Sequence, residues 1–148
     1  MTYRAIDIST AARTLWGECE GEPQAGKEAV AWVMRNRVER PGWWSREKGD
    51  DIADDTIQAV CRDPWQFSCW KDQKRREKML ALTVDNEAFR QCLIAVAAVF
   101  GDLIADPTGG ACHYHAVWMD PYPAWTAKMQ RTTKIGNHIF YVELPEAA

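Results

Sequence analysis

No stretch of this chain is apolar for long enough to cross a bilayer, which takes about 20 residues of helix; its longest apolar run is Cys92 to Phe100. The opening Met1-Thr2-Tyr3-Arg4-Ala5-Ile6-Asp7 lacks the apolar core of a secretory signal. Both absences point to a product made in the cytosol, without stable membrane insertion, that reaches any extracellular target by another route. Charge of one sign is equally scarce. The 18 basic and 21 acidic residues leave a formal charge of -3, so no overall field gathers nucleic acid or an anionic membrane. The five cysteines, Cys19, Cys61, Cys69, Cys92 and Cys112, are odd in number and contain no C-x-x-C pair, which argues against a disulfide framework. Cys61 and Cys69 bracket a short loop, but cytosolic synthesis weighs against a bridge between them, and Cys19 and Cys92 fall in apolar periods as small buried side chains. Internal repeats and low-complexity linkers are also missing, and 148 residues with 47% apolar content fit one domain, 1–148, with its own core.

Tryptophan, by contrast, is abundant, with eight in the chain. Trp43, Trp44 and Trp70 lie in polar, turn-rich sequence. An indole suits the apolar face of a sugar ring, although packing is its commonest role.

The periodicity predicts a mostly helical unit followed by a β-prone C-terminal third, an α+β domain. Ser9 or Thr10 caps a first helix whose apolar positions Ile8, Ala12, Leu15, Trp16 and Cys19 follow the 3.6-residue period, and Gly21 ends it. Pro23 opens a second helix to about Val38, apolar nearly all round between Ala29 and Met34 and therefore central. Arg40-Pro41-Gly42 begins a surface loop to Asp50, and Ile52, Ala53, Thr56, Ile57 and Val60 suggest a short third helix. Cys61 to Trp70 has aromatics without a period and reads as a cleft-lining loop; Lys71 to Lys78 reads as a solvated helix face rather than a nucleic-acid contact. Asn86 caps a second buried helix that Gly101 ends. Strands follow in Cys112 to Trp118 and in Thr132 to Val142, the latter folded about Gly136-Asn137.

The chemistry concentrates in Trp16-Gly17-Glu18-Cys19-Glu20-Gly21-Glu22-Pro23, three carboxylates at a joint between helices. A carboxyl group partly desolvated at the rim of a core keeps its proton more readily and can donate it. Glu18 and Glu20 fall on opposite edges of the apolar stripe and Glu22 lies past the break at Gly21, so periodicity does not choose among them; solvated acids at a helix end are the plain alternative.

Read together, distant segments resemble a known family. The stretch Trp16 to Pro23, with Gly26, Ala29-Val30-Ala31 and Val33-Met34-Arg35-Asn36-Arg37-Val38, resembles the opening motif of the SleB-type cell-wall hydrolases, a group of spore-cortex-lytic and phage endolysin-like proteins. Gln66-Phe67-Ser68, His113-Tyr114-His115 and Ile135-Gly136-Asn137-His138-Ile139-Phe140-Tyr141 resemble its later motifs, in order. The resemblance implies a lysozyme-like α+β fold, peptidoglycan glycan strands as partner, no cofactor, and one essential glutamate at the end of the first helix, which by position is Glu18. In a lytic transglycosylase that residue protonates the glycosidic oxygen between N-acetylmuramic acid and N-acetylglucosamine, then takes the muramyl 6-hydroxyl proton as a 1,6-anhydro ring closes. A muramidase would need a second carboxylate, for which Glu22 is the nearest candidate and Glu20 a weaker one. Gln66 and Ser68 are candidates for hydrogen bonds to the sugar, Phe67 for the cleft floor or the core, and Tyr114 and Tyr141 for orienting Glu18 or the substrate. Without a signal sequence, release through a holin or carriage in a virion would bring such an enzyme to the wall.

Three rivals follow from other residues. His113, His115 and His138, with Cys112 or a glutamate, have the residue types of a zinc site and would suit an N-acetylmuramoyl-L-alanine amidase, although H-x-H spacing is common by chance. A glycan-binding module would use the tryptophans without an acid. Nucleophilic catalysis by Cys112 or Cys69 with a histidine has no recognisable local signature.

Overall fold

The computed structural model describes residues 2–46, 49 and 52–145. The loop expected to reach Asp50 lies partly outside these residues. Five helices precede a small sheet: α1 (Ala5–Cys19), α2 (Gln24–Glu39), α3 (Ile57–Arg62), α4 (Gln73–Ala81) and α5 (Glu87–Phe100), then β1 (His113–Ala116), β2 (Met129–Ile135) and β3 (His138–Glu143). Short 3-10 turns occupy Trp43–Arg46, Ser68–Trp70 and Ala124–Lys128. The α+β expectation holds.

α2 is the buried axis. Ala29, Val30, Ala31, Val33 and Met34 are wholly inaccessible, so the helix is covered on every side, as its all-round apolar sequence predicts. α1 and α5 pack across it through Ala11, Ala12 and Leu15 on one side and Ala95, Val96 and Val99 on the other. Asn86 caps α5, its side chain accepting the Phe89 N–H at 2.9 Å, and Gly101 closes it.

Two helix starts differ from expectation. α1 begins a turn before Ser9: the Asp7 carboxylate accepts the Arg4 N–H at 2.8 Å, while the Thr10 hydroxyl turns sideways to donate to Gln58 Oε1 on α3 at 3.0 Å. Burial pushes Asp7 upward, but the bonds from Arg4 and Gln58 outweigh it and hold the carboxyl below its usual range. α3 starts at Ile57 rather than Ile52, because the Thr56 hydroxyl accepts the Ala59 N–H at 3.1 Å and fixes the cap there. Pro23 serves as the cap of α2, one position before the expected one.

The sheet has the antiparallel order β1-β3-β2. It is tied to α2 by the polar end of that helix. Asn36 Nδ2 donates to Asp106 Oδ2 and the Ala111 carbonyl, both at 2.9 Å, and Arg37 Nε donates to the Cys112 carbonyl at 2.7 Å. Asn36 and Arg37 thus position the entry to β1. All five cysteines are free, Cys61 and Cys69 included.

Candidate active site

Glu18, half-buried in the last turn of α1, lies where two open clefts meet. One, of about 330 Å³, is walled by Trp65, Gln66, Ser68, Tyr114, His115 and Trp125. The other, of about 290 Å³, is bounded by Glu22, Arg75, Trp118, Asn137 and His138. The loop before α4 holds the carboxylate, with the Cys69 N–H donating to Glu18 Oε1 at 3.1 Å. Gly17 permits that approach: a Cβ there would stand 2.8 Å from Met79 Sδ and 2.9 Å from both Cys69 Cβ and Sγ. Among the described residues no cation lies within ion-pair distance of Glu18. A larger hollow, about 520 Å³ beside Trp16, Lys78 and Asn86, does not include it.

The neighbouring acids are engaged elsewhere. Glu20 pairs with Arg75 Nη2 at 3.3 Å, and that guanidinium also covers the Trp16 ring at 4.6 Å. Glu22 is buried; Oε1 accepts the Asn137 N–H at 2.8 Å and Oε2 accepts Asn137 Nδ2 at 2.7 Å. Its carboxylate therefore fastens the β2–β3 turn to the joint between α1 and α2. Gly136, at φ +57°, is needed there because a Cβ would fall 2.8 Å from Glu22 Oε1. His138 Nδ1 lies 3.1 Å from the same oxygen, outside hydrogen-bond alignment; burial lowers this histidine, with Glu22 opposing and His115 adding to the shift.

Tyr114 and Ser68 reach the first cleft. Burial and then the charge of Glu18 push the Tyr114 hydroxyl well above its usual range, so it stands beside Glu18 as a neutral group. Gln66 lines the cleft with its amide fixed by two carboxylates, Nε2 donating to Asp54 Oδ2 at 2.7 Å and Asp63 Oδ2 at 3.1 Å. Phe67 is 1% exposed and lies in the core under the Arg37 guanidinium, so it does not floor the cleft. Tyr141 is likewise buried and stands behind the cleft wall, against His115 and Trp125. His115 Nδ1 donates to the Ala116 carbonyl at 2.9 Å, and Nε2 is hydrogen-bonded to the Tyr141 hydroxyl at 2.8 Å.

Both nitrogens of His115 are therefore engaged. His113 stacks among Trp43, Trp44 and Trp125 at 4.8–5.0 Å, and His138 faces Glu22. The three histidines expected of a zinc site do not converge, and no cluster of three or more metal-binding side chains occurs among the described residues. Burial raises the Cys69 and Cys112 thiols, which keeps them protonated and poorly nucleophilic.

Among the tryptophans singled out in the sequence, Trp44 and Trp70 are buried and Trp43 is partly exposed. The indoles facing the clefts are Trp65, Trp118 and Trp125, with Arg37 and Arg75 beside them. A proline-flanked aromatic stretch, Trp118-Met119-Asp120-Pro121-Tyr122-Pro123, was the signal for part of this wall.

Open clefts walled by indoles, with a carboxyl group where they meet, suit an extended ligand that has apolar faces. The chain belongs to the Cell Wall Hydrolase family, whose sequence model matches residues 21–141. It is 30% identical over 141 residues to spore cortex-lytic enzymes of Halalkalibacterium halodurans and Bacillus cereus, covering 93% of this chain and 35% and 45% of theirs. The chain thus spans between a third and a half of the length of these curated relatives. Among solved structures it resembles the catalytic domain of the germination-specific lytic transglycosylase SleB from Bacillus anthracis, with a TM-score of 0.63 and 28% identity over 95% of this chain and 97% of that one. The Bacillus cereus SleB catalytic domain gives the same score and identity and is covered to 93%.

Proposed function

We propose that this chain cleaves peptidoglycan between N-acetylmuramic acid and N-acetylglucosamine as a lytic transglycosylase, with Glu18 as acid and then base. The observation that carries the reading is the unequal use of three adjacent carboxylates: Glu20 is paired, Glu22 is buried and hydrogen-bonded, and Glu18 lines both clefts. A reaction needing one carboxyl group fits this arrangement better than a hydrolysis needing two.

In this mechanism the protonated Glu18 carboxyl donates to the glycosidic oxygen as the bond from that oxygen to the muramyl C1 breaks, and positive charge develops on the ring. The muramyl O6 then bonds to C1, its proton passes to the Glu18 carboxylate, and the acid is regenerated. The Cys69 N–H fixes the direction of the carboxyl group through Oε1. The neutral Tyr114 hydroxyl and His115, held by Tyr141, supply polar groups to the same wall. Ser68 and Gln66 stand where sugar hydroxyl or acetamido groups would pass.

Glu18→Gln keeps the shape of the side chain but has no proton to transfer. It is expected to retain the thermal transition of the parent while losing release of anhydro-muropeptides from purified peptidoglycan, read by mass spectrometry. Undiminished release by this variant would remove Glu18 from the mechanism. Products with reducing ends would assign hydrolysis, and free stem peptides an amidase.

A further inference from the structure

The hollow of about 520 Å³ beside Trp16 lies outside the two clefts at Glu18 and has no part in the chemistry proposed for them. Ala81 and Leu82 give it an apolar wall, while the exposed side chains of Lys78 and Asp85 bring one charge of each sign. It adjoins the second cleft, because the Arg75 guanidinium that lines that cleft lies over the Trp16 ring at 4.6 Å. Arg75 and Lys78, three apart in α4, share one face of the helix about 4.5 Å apart along its axis. Lys71, just before the helix, lines the first cleft. Three neighbouring depressions thus each receive a cation from the short segment 71–78. Among the described residues Lys71 and Lys78 form no ion pair, and Arg75, although paired with Glu20, keeps a third of its side chain exposed.

These charges and their order define a guest. The sugar rings of an N-acetylated glycan are uncharged, so the strand itself gives Lys78 nothing to meet. A polyanion would answer Lys78 but face Asp85 in the same hollow. A peptide brings carboxylates together with N–H or ammonium donors, and aliphatic side chains for the wall of Ala81 and Leu82. It must also reach that far. Glu18 and Arg75 line the same cleft and Lys78 lies one turn of α4 further on, so a branch of three or four extended residues, about 10–14 Å long, passes from the second cleft into the hollow.

We propose that the hollow beside Trp16 and Lys78 holds the peptide stem that branches from the muramyl residue at Glu18: a stem carboxylate pairs with Lys78, N–H or ammonium groups face Asp85, and the aliphatic part lies on Leu82. The assignment deepens the transglycosylase reading and rests on it for the position of the muramyl residue. Its consequence is selectivity: glycan stripped of its peptides binds less tightly than glycan that carries them.

Binding tests this without using catalysis. The full chain, labelled with ¹⁵N, is titrated at low salt with N-acetylglucosaminyl-N-acetylmuramic acid bearing a tetrapeptide and, separately, with the same disaccharide without peptide; neither contains the bond that Glu18 is proposed to break. The bare disaccharide keeps a lactyl carboxylate beside its ring, so a carboxylate near Glu18 is common to both probes. The expected result is binding at least about threefold tighter for the peptide-bearing form, the scale of an exposed ion pair, with displacement of the Thr83 and Asp85 backbone N–H signals by that form alone. Lys78→Gln, at an exposed position, should keep the thermal transition and lose most of the preference. Equal affinities, unmoved Thr83 and Asp85 signals at saturation, or a preference that survives Lys78→Gln overturn the stem site. Movement of those signals by a glycerol phosphate oligomer and not by the peptide-bearing form would also overturn it, in favour of a polyphosphodiester. Release of anhydro-muropeptides by the unaltered chain is measured in parallel. Peptide preference without that release would sink the transglycosylase reading and leave the stem site standing; release without the preference would do the reverse.

Discussion

Replacing Glu22 by glutamine separates a structural carboxylate from a catalytic one. The parent side chain accepts two hydrogen bonds from Asn137, at 2.8 and 2.7 Å, in a site only 8% exposed. Glutamine removes the charge from both and sets an amide nitrogen toward one of the two donors; rotation of the Asn137 amide restores that contact as a neutral bond. Bonds to charged groups contribute about 1.5–3 kcal/mol and neutral ones about 0.5–1.5 kcal/mol, so the pair loses about 1–3 kcal/mol. In a domain of this size each kcal/mol corresponds to roughly 2–4 °C, so Tm should fall by about 2–12 °C. Calorimetry gives the shift, and anhydro-muropeptide release at 25 °C, well below the transition, gives the activity. A retained rate, within about threefold of the parent, is expected if Glu22 only anchors the β2–β3 turn. An unchanged Tm with activity reduced about a thousandfold, the scale of a lost acid or base, would refute the anchoring argument and make Glu22 the second carboxylate of a hydrolase.

Other perturbations read other parts of the structure. Burial, followed by the charge of Arg37, lowers His113 from 6.5 to about 3, so below pH 6.5 the unfolded chain takes the proton first. Stability is then complete above that pH and falls with acidification; between pH 7 and pH 4.5 urea unfolding should show a loss of about 2–3 kcal/mol from this residue, absent in His113→Phe. An identical loss in that variant would show the histidine to be uninvolved. Gly17→Ala forces a methyl against Met79 and Cys69, and should cost about 1–3 kcal/mol while moving the N–H that holds Glu18. A drop in activity without loss of Tm would fit the second effect alone, and no change in either would refute the packing argument. Arg37→Lys keeps a charge but not the fork that reaches both the Cys112 and Gln66 carbonyls, and should lower stability by about 1–3 kcal/mol in the same unfolding assay; full stability would show that the clamp does little.

The helical half of the fold was legible because its signals are local. An all-round apolar run placed α2 at the centre, and Asn86 and Gly101 marked both ends of α5. Where two hydroxyls or acids competed to cap a helix, the sequence did not choose. Thr10 looks like a cap but bonds across to Gln58, and Asp7 three residues earlier takes the role; Ile52 and Ala53 fit a helical period, yet Thr56 caps the chain after them. Tryptophan misled in the same way, since an indole at a turn packs inward or outward according to partners far along the chain, as buried Trp44 and exposed Trp65 show.

The same distinction explains why the helical period left Glu18 and Glu20 equal. What separates them is not on α1: Cys69 brings a backbone N–H to Glu18, and Arg75 brings a cation to Glu20. Glu22 is the extreme case, for its donors lie 115 residues away in the chain. A carboxylate in a Gly-Glu-Pro sequence reads as solvated, and it is buried only because the Gly136-Asn137 turn supplies a backbone and a side-chain N–H at the needed spacing. The first and last motifs of the chain are therefore two halves of one contact. Joining them ties up Glu22 at the wall of the second cleft and leaves Glu18, among the described residues, as the cleft carboxylate with neither a cation nor a buried turn to hold it, which suits the proposed mechanism in which one group serves as both acid and base.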